Sequence, residues 1–367
     1  MGEAANETPR VGAAALQGFA ADLLHAGGFS AEHAAQTANL LVWANLRGVD
    51  SHGVLRIPRY VEMVELGVIN PSAAPRQVAG KGAVVVIDAD RAPGAVAMNF
   101  AARTAAELAG IHGIGWCAVR AISHAGAIGY YAQQMAAEGK AAIVMTASKP
   151  LMIYHGSKAE GVSTNPLAIA APTSNPDRPL LLDMSTASVA LGKIMAARDA
   201  GKPIPPGWGI DEDGRETTDP AKAKAVLPMA GPKGSGLSLM IEVLASALTG
   251  NPLISVALTQ GGNPGGNGLA VALDPSAFGP SEAFVRAITE TCAAIKRLPL
   301  AADASGVYLP GERGFDEMEK RLRSGIPLAQ GTLSRLVALA SKLNVATLPT
   351  SRDQHLLFAR GGPDRTG

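Results

Sequence analysis

Short apolar runs alternate with alanine-rich stretches from Gly82 onward, and this alternation limits the possible folds more than any other feature of the sequence. The runs predict buried strands at Ala83–Asp88, 116–121, 141–148, 166–173, 179–185 and Leu269–Leu273. The alanine-rich stretches predict helices at Val96–Leu108, Tyr130–Ala137, Ser188–Ala197, Gly236–Leu248 and Glu282–Leu298. Strands and helices mixed in this way predict an α/β domain over residues 82–298.

Both ends of the chain have apolar residues at helical spacing instead. The predicted helices are Ala13–His25, Ala31–Leu46, Ile57–Leu66, Phe315–Arg323 and Leu333–Leu343. Residues 1–81 and 299–367 are therefore predicted to be helical. They could pack together as one discontinuous domain or form two separate caps. Residues Asn251–Gly268, which end in a glycine-rich stretch, are predicted to be a long loop.

The charge balance excludes one class of partner. Thirty-two basic residues against 31 acidic ones leave a net charge of +1, whereas binding to nucleic acid requires clustered Lys and Arg. No apolar run reaches the 18 residues that predict a membrane span. The first ten residues lack the pattern of a secretory signal. We expect a cytoplasmic protein with a small-molecule site or a protein partner, no nucleic-acid or membrane partner, and no metal site.

The segment RGVDSHGVLRIPRY, residues 47–60, places several titratable groups between two predicted helices. His52 can exchange a proton near neutral pH, and the neighbouring Ser51 hydroxyl can hydrogen-bond a substrate oxygen. Arg56 could bind a carboxylate through two parallel hydrogen bonds. The alternative is a turn between helices in which Asp50 and Ser51 only cap the next helix.

Three further segments combine polar residues with the start of a predicted helix. In AISHAGAIGYY, His124 follows a buried strand, and the alternative is a structural histidine beside a capping serine. In PLLLDMSTAS, Asp183 ends a strand, and hydroxyls with free amides at a helix start suit a phosphate. In PMAGPKGSGL, Lys233 adds a positive charge ahead of a helix. The chain has no GxGxxG fingerprint of a dinucleotide-binding fold.

Taken together, the segments resemble the second type of the malate/L-lactate dehydrogenase family. The resemblance is carried by RGVDSHGVLRIPRY, SHAGAIGYY, STNPLAIAAP, LLDMSTASVALGKI, IPPGWGIDEDGRETTDP, GPKGSGLSLMIEVL and LPGE, in family order. This family includes malate, sulfolactate and ureidoglycolate dehydrogenases and piperideine/pyrroline-2-carboxylate reductases. The resemblance implies a non-Rossmann nicotinamide-binding domain with a largely antiparallel mixed sheet, which explains the missing fingerprint. It also implies a helical domain formed by both termini.

The resemblance assigns roles to residues that match the family motifs. The catalytic residues would be Ser51, His52, His124 and Asp183, and the substrate-binding residues Arg56, Thr164 and Asn165. The cofactor-binding residues would be Ser148, Lys149, Asp183, Met184, Ser185, Ser188, Lys233, Gly234, Gly311 and Glu312. The sequence departs from the family pattern at Ser123, where asparagine is more common before the histidine, and at Ser163, which replaces a glycine.

The expected reaction is hydride transfer between NAD(P)H and a small 2-oxo or 2-hydroxy carboxylic acid. The alternative is NADPH-dependent reduction of a cyclic ketimine, Δ1-piperideine-2-carboxylate or Δ1-pyrroline-2-carboxylate. A catalytically silent binding protein is a third possibility, which the joint presence of the matched residues opposes. Lys149 favours NADP(H) over NAD(H), because a cation suits the additional phosphate. The resemblance also predicts a homodimer.

Overall fold

The computed structural model describes residues 8–199, 201–262 and 265–348 of the chain. Its helices are α1 (Ala13–Ala26), α2 (Ala31–Leu46), α3 (Ile57–Glu65), α4 (Gly94–His112), α5 (Gly129–Ala137), α6 (Leu191–Asp199), α7 (Pro232–Ala245), α8 (Ile254–Gln260), α9 (Ser281–Lys296), α10 (Glu312–Ser324) and α11 (Gln330–Leu343). Its strands are β1 (Arg10–Val11), β2 (Arg76–Lys81), β3 (Val84–Asp88), β4 (Ile114–Ile122), β5 (Ala141–Ser148), β6 (Met152–Ile153), β7 (Glu160–Val162), β8 (Leu167–Ala171), β9 (Leu180–Met184), β10 (Gly209–Ile210), β11 (Glu216–Thr217), β12 (Ala225–Val226), β13 (Gly266–Leu273) and β14 (Ile326–Pro327). The predicted α/β class with mixed sheets is confirmed.

Contacts between residues divide the chain into two units. The first consists of the described residues of Met1–Gly67 and Gly314–Gly367. It is mainly helical, and the short strand β1 pairs with β14 from the other end of the chain. The Ser30 side chain accepts a hydrogen bond from the backbone N–H of His33 at 3.1 Å and so caps α2.

The second unit, Val68–Arg313, contains a seven-stranded sheet of order β2-β3-β4-β13-β5-β8-β9. Five of its six neighbouring pairs are antiparallel, and only β3 with β4 is parallel. The edge strand β2 was not predicted from the sequence because all of its residues are exposed and it lacks an apolar face.

Alanines on α4 let this helix lie very close to the sheet. A Cβ atom built on Gly115 of β4 would be 2.0 Å from the Ala105 carbonyl oxygen, so strand and helix nearly touch. Small side chains permit this approach, and most of the buried residues of α4 are alanine. The alanine-rich composition of this stretch therefore reflects packing as well as helix propensity.

The strand register collects several loop segments at one edge of the sheet. Ile122 and Ser148, the last residues of β4 and β5, both lie opposite Gly266, the first residue of β13. Two strands further on, Leu167 begins β8 opposite Met184, which ends β9. The segments that follow β4, β5 and β9 therefore leave the sheet at the edge where β8 and β13 begin.

A second sheet of five short strands, in the order β11-β10-β12-β6-β7, was not predicted. Its strands have two or three residues each, too few for an alternating pattern to be recognised. Apolar residues from β6, β7, α6 and β12 form the adjoining core, with Met152, Val162, Ile194 and Val226 among its buried members.

The predicted loop Asn251–Gly268 is partly wrong, because it contains the helix α8. The Glu242 carboxylate accepts hydrogen bonds from the backbone N–H groups of Leu253 and Ile254, at 2.7 and 3.0 Å. A buried side chain distant in sequence therefore starts this helix. The predicted helix over Gly236–Leu248 also begins earlier, at Pro232, and proline is favoured in the first helical turn.

Among the described residues, no single helix is both long and apolar enough to cross a membrane. The pair Pro232–Thr249 and Ile254–Gln260 passes the same test only together, with an 89° bend between its members.

Gly234 and Gly236 of α7 provide a matched test of this packing. A Cβ at Gly234 would lie 2.5–2.6 Å from backbone atoms of Met229 and Thr186, whereas a Cβ at Gly236 has nothing within 4 Å. We expect Gly234→Ala to destabilise the fold by about 1–3 kcal/mol and Gly236→Ala to stabilise it by about 0.5–1 kcal/mol. Urea denaturation measures both, and stability changes of the same sign and size would contradict the packing described.

Candidate active site

The first unit brings Ser51, His52 and Arg56 together in one turn between α2 and α3. Two short 3₁₀ segments, Asp50–His52 and Val54–Arg56, form this turn. The Ser51 hydroxyl lies 3.0 Å from Nδ1 of His52, and Nε of Arg56 donates to the Ser51 carbonyl at 2.8 Å. A hydroxyl, an imidazole and a guanidinium therefore share one turn, and neither Asp50 nor Ser51 caps α3, whose N-cap is Arg56 without a side-chain hydrogen bond.

Asn45, at the end of α2, fixes the turn from inside. Its amide donates to the Asp50 carboxylate at 2.6 Å and accepts from the Val54 N–H at 2.9 Å. A Cβ at Gly53 would lie 2.2 Å from the Asn45 amide oxygen, so only glycine fits there. Asn45 was outside the residues predicted from the sequence, although an asparagine within an apolar helix is a usable signal, and it is buried in the structure.

Arg321, from α10 near the other end of the chain, fixes the same turn. Its guanidinium donates to the Asn45 carbonyl at 2.6 Å, to the two Asp50 carboxylate oxygens at 2.8 and 3.2 Å, and to Glu317 at 2.6 Å. Burial lowers the pKa of Arg321, but the hydrogen bonds to Asp50 and Glu317 more than offset this and hold it above its ordinary value. No sequence signal identifies Arg321, because Asp50 lies 271 residues away.

Burial changes the protonation of His52. It lowers the pKa of the imidazole from 6.5 to about 4, and the positive charge of Arg56 contributes further. His52 is therefore neutral at pH 7 and can accept a proton or form a hydrogen bond. Burial also raises the pKa of Tyr60, with Arg56 opposing this, so the phenol stays protonated.

In the second unit, His124 and Asp183 belong to the edge of the sheet where β4 and β9 end. His124 is exposed two residues after β4, and the preceding Ser123 hydroxyl accepts the Gly94 N–H at 2.9 Å. The Asp183 carboxylate accepts the N–H of Gly129, the first residue of α5, at 2.9 Å. A carboxylate at a helix start is favourable. Asp183 therefore holds the helix that follows the His124 loop.

Hydrogen bonds tie both Ser148 and Ser185 to residues 163–165. Asn165 accepts the Ser148 N–H at 3.2 Å and donates to the Ser238 carbonyl at 3.0 Å. The hydroxyls of Ser148 and Ser163 are 2.7 Å apart, and Ser185 donates to the Thr164 carbonyl at 3.1 Å. Ser163, which replaces the family glycine, thus ties the end of β7 to the end of β5. Both ends of the Asn165 amide are engaged by protein groups.

The start of α7 differs in one respect from the expected anion site. The N–H groups of Gly234 and Ser235 donate to the carbonyls of Met229 and Gly231, at 2.8 and 3.3 Å. These amides are therefore not free, and the first turn offers the exposed Lys233 instead. A Cβ at Gly231 would lie 3.3 Å from the His155 ring, so this histidine borders the same turn.

The remaining predicted cofactor residues lie on neighbouring segments of the second unit. The Pro310 carbonyl accepts the Leu181 N–H at 3.2 Å, which places Gly311 and Glu312 beside β9. The Glu312 carboxylate accepts from the Leu309 N–H at 2.9 Å and from Lys296 at 2.6 Å. The other members of the predicted set are Met184 at the end of β9, the exposed Ser188 after it, and the exposed Lys149 after β5.

Known proteins are similar to this chain in sequence and in fold. The family described as malate/L-lactate dehydrogenase matches residues 11–337 of the chain.

The chain belongs to the malate/L-lactate dehydrogenase family.

Malate dehydrogenase from Pyrococcus horikoshii is 36% identical over 333 residues, covering 88% of this chain and 92% of that protein. A solved structure of malate dehydrogenase from Pyrococcus horikoshii OT3 has a TM-score of 0.85 and 32% identity, covering 95% and 99% of the two chains. Ureidoglycolate dehydrogenase (NAD(+)) from Escherichia coli K12 is 34% identical, covering 85% of this chain and 90% of that protein.

The structure of Δ1-piperideine-2-carboxylate reductase from Pseudomonas syringae is also similar, with a TM-score of 0.80 and 28% identity over 91% of this chain and 100% of that one. The resemblance to the malate/L-lactate dehydrogenase family that the sequence motifs indicated is therefore confirmed. The roles of individual residues stay predictions.

The lowered pKa of His52 predicts how the stability of this family member depends on pH. Between pH 6.5 and 4 the unfolded chain binds a proton at position 52 and the folded chain does not, so stability falls as the pH falls through this range. Calorimetry should show a shallower decrease of Tm for His52→Gln than for the unchanged protein. The exposed His112→Gln serves as a control, and equal decreases in the unchanged protein and His52→Gln would contradict the burial described.

Proposed function

We propose that this protein is an oxidoreductase that transfers hydride between a nicotinamide cofactor and a small 2-oxo or 2-hydroxy carboxylic acid. The observation that carries the proposal is the turn in which a neutral His52 lies beside the Ser51 hydroxyl and the Arg56 guanidinium. Such a turn offers a group for the carboxylate and a group for the proton. The similarity to malate and ureidoglycolate dehydrogenases supports the proposal.

Arg56 would bind the substrate carboxylate. Its Nε is engaged by the Ser51 carbonyl, and its side chain forms no other hydrogen bond with the described residues. The two terminal nitrogens of a guanidinium match the geometry of a carboxylate. Thr164 and Asn165 are the other proposed substrate-binding residues, and the Asn165 amide holds the backbone of Ser148 and Ser238.

His52 would exchange the proton at the substrate oxygen. As a neutral imidazole it can accept the hydroxyl proton when a 2-hydroxy acid is oxidised, and it returns that proton in reduction. A carboxylate bound to Arg56 would offset the positive charge that helps to keep the pKa of His52 low. Substrate binding would therefore raise this pKa toward its ordinary value and make proton uptake easier. Ser51 would relay or orient this proton, and His124 would serve as a second proton acceptor.

The second unit has features that fit a phosphate-bearing cofactor. The Thr186 hydroxyl is buried and has no hydrogen-bond partner among the described residues, and the Thr186 carbonyl borders Gly234 closely. In the sequence, Ser185 and Ser188 lie on either side of Thr186, and Lys233 directly precedes Gly234. Ser148, Met184, Gly311 and Glu312 would complete the binding segments. When bound, the nicotinamide ring supplies or accepts the hydride.

The arrangement of this unit supports a non-Rossmann mode of cofactor binding. Its main sheet is largely antiparallel, whereas a Rossmann sheet is mostly parallel with the pyrophosphate at a glycine-rich turn. We assign cofactor binding to the α/β domain, predicted over residues 82–298, together with Gly311 and Glu312 from the segment that follows it. The helical parts predicted over 1–81 and 299–367 would present Ser51, His52 and Arg56.

The proposed cofactor is NADP(H) in preference to NAD(H). Exposed Lys149 directly follows Ser148, and a cation there suits an additional phosphate. Glu160 shares this surface: burial raises its pKa, and the charge of Lys149 partly offsets the rise. Lys149 therefore already interacts with the Glu160 carboxylate. The preference for NADP(H) depends on whether the additional phosphate competes with Glu160 for Lys149.

A second candidate function is reduction of a cyclic ketimine carboxylate. The similarity to Δ1-piperideine-2-carboxylate reductase over 91% of this chain favours it. Such a substrate carries a carboxylate next to a C=N bond, so it would use Arg56 in the same way.

A homodimer and a cytoplasmic location complete the proposal. The homodimer is supported by α9, which has no buried residue within this chain.

We predict that the purified protein oxidises NADPH when given a 2-oxo acid. The panel consists of pyruvate, oxaloacetate, sulfopyruvate and the two cyclic imines, each with NADPH and NADH. We expect turnover of at least one oxo acid, a higher kcat/KM with NADPH than with NADH, and a loss of about 10²–10⁴-fold in His52→Gln, which lacks the proton acceptor.

Turnover of the imines alone would favour the second candidate, and a clear preference for NADH would exclude the role given to Lys149. Near-normal activity of His52→Gln would contradict its role in proton exchange. A cofactor present at 100 times its Kd should stabilise the fold by about 2.7 kcal/mol. The absence of any thermal shift with either cofactor would contradict the proposal and favour a binding protein without catalysis.

A further inference from the structure

Strand β4 contains a bulge shortly before His124. Ile122 lies opposite Gly266 and Val119 opposite Gly268, so Arg120 and Ala121 together face the single residue Asn267. Ala121 has a φ of +57°, which is unfavourable for a residue with a Cβ. Bulges change the direction of a strand and are frequent beside active sites. This bulge sets the direction in which the chain leaves the sheet toward His124.

Asn267 holds the bulge through its side chain. It is fully buried, and its amide oxygen accepts the Ala121 N–H at 3.1 Å. The same oxygen accepts a hydrogen bond from the Asn251 side chain at 2.8 Å, and the Asn267 amide nitrogen donates to the Asn251 carbonyl at 2.8 Å. Both ends of the amide are therefore fixed, and it presents an acceptor to Ala121.

Asn251 is itself anchored to α7. Its N–H donates to the Ser246 carbonyl at 3.3 Å. Two and three residues later, Leu253 and Ile254 donate to the buried Glu242 carboxylate. A continuous set of hydrogen bonds therefore runs from α7 through Asn251 and Asn267 to Ala121.

The opposite side of the bulge is held as well. The Ala121 carbonyl accepts the Arg91 N–H at 2.8 Å, and the Ser123 N–H donates to the Ala92 carbonyl at 3.1 Å. An unfavourable φ costs free energy and persists only where surrounding contacts hold it. At Ala121 those contacts come from both sides, and Asn267 is the side-chain contribution.

We propose that Asn267 is a positioning residue for His124, because its amide holds the bulge at Ala121 that directs the His124 segment away from the sheet. The inference rests on the proposed function in assigning proton exchange to His124. Asn267 was outside every candidate set from the sequence, and it acts through the backbone without touching a reacting group.

The first test compares Asn267→Ala with Lys140→Met. Lys140 pairs with Asp274 just beyond the other end of β13, so its removal also disturbs this strand. We expect kcat for hydroxy-acid oxidation to fall about ten- to a hundred-fold in Asn267→Ala, because a small displacement of a catalytic group is costly. KM for the cofactor should change less than about twofold, since the Asn267 side chain bonds Ala121 and Asn251, neither of which is a predicted cofactor residue, and Lys140→Met should keep kcat.

The second test uses Ala121→Gly in the Asn267→Ala background. Glycine adopts a positive φ without strain, so the bulge no longer needs the side-chain contact. We expect kcat to recover at least about threefold over Asn267→Ala. Because glycine at a positive φ also relieves strain in the folded state, Tm is measured in parallel, and recovery of Tm without recovery of kcat would contradict the positioning role.

A third measurement does not depend on turnover. The NMR signal of the His124 ring, assigned from its absence in His124→Gln, should shift in Asn267→Ala and stay in place in Lys140→Met. This shift should appear even if no oxo acid is turned over. A lack of turnover would contradict the proposed function but not the positioning of His124 by Asn267. An unmoved His124 signal, a kcat equal to that of Lys140→Met, or a loss that appears only as a higher KM for the cofactor would each overturn the inference.

Discussion

The ion pair between Arg321 and Asp50 is the interaction on which the candidate chemistry of the first unit depends. Arg321 is buried, with 9% of its side chain exposed, and it bonds Asp50, Glu317 and the Asn45 carbonyl. A buried charge is retained only when its hydrogen bonds are satisfied, and removal of one partner is strongly destabilising. The turn that carries Ser51, His52 and Arg56 is therefore built from both ends of the chain, and the low pKa of His52 follows from the burial that this assembly creates.

The second unit gathers its candidate residues by a different device. Its strand register places the ends of β4, β5 and β9 at the edge where β8 and β13 begin. Buried amides then fix those ends: Asn165 bonds the backbone of Ser148 and Ser238, and Asn267 bonds Ala121. The exposed His124 and Lys233 are carried by segments that these amides and α7 hold. Polar side chains in the interior thus determine where the candidate catalytic and binding groups lie.

The sequence predicted the apolar parts of this structure well. Strand β5 and helix α2 lie where expected, because an apolar strand or helix with a clear cap has a local signature. The family was also recognisable, because several motifs occur in order. The second sheet was missed because its strands have two or three residues each, and Arg321 was missed because its partner Asp50 lies 271 residues away. Helix α8, Asn45 and Asn267 were missed because side-chain hydrogen bonds, which leave no periodic pattern, define their roles. The candidate site residues could be named from motifs, but what holds them could not.

The titration of His52 in variants of Arg321 tests this account most directly. The NMR signal of the His52 ring would be followed against pH in the unchanged protein, in Arg321→Met, and in the control Arg323→Met, which replaces an exposed arginine on the same helix. The account predicts a pKa near 4 in the unchanged protein and the control, and a rise toward 6.5 in Arg321→Met as the turn loosens and water reaches the imidazole. A His52 pKa that stays near 4 without Arg321 would contradict the claim that the two ends of the chain together create the environment of this histidine.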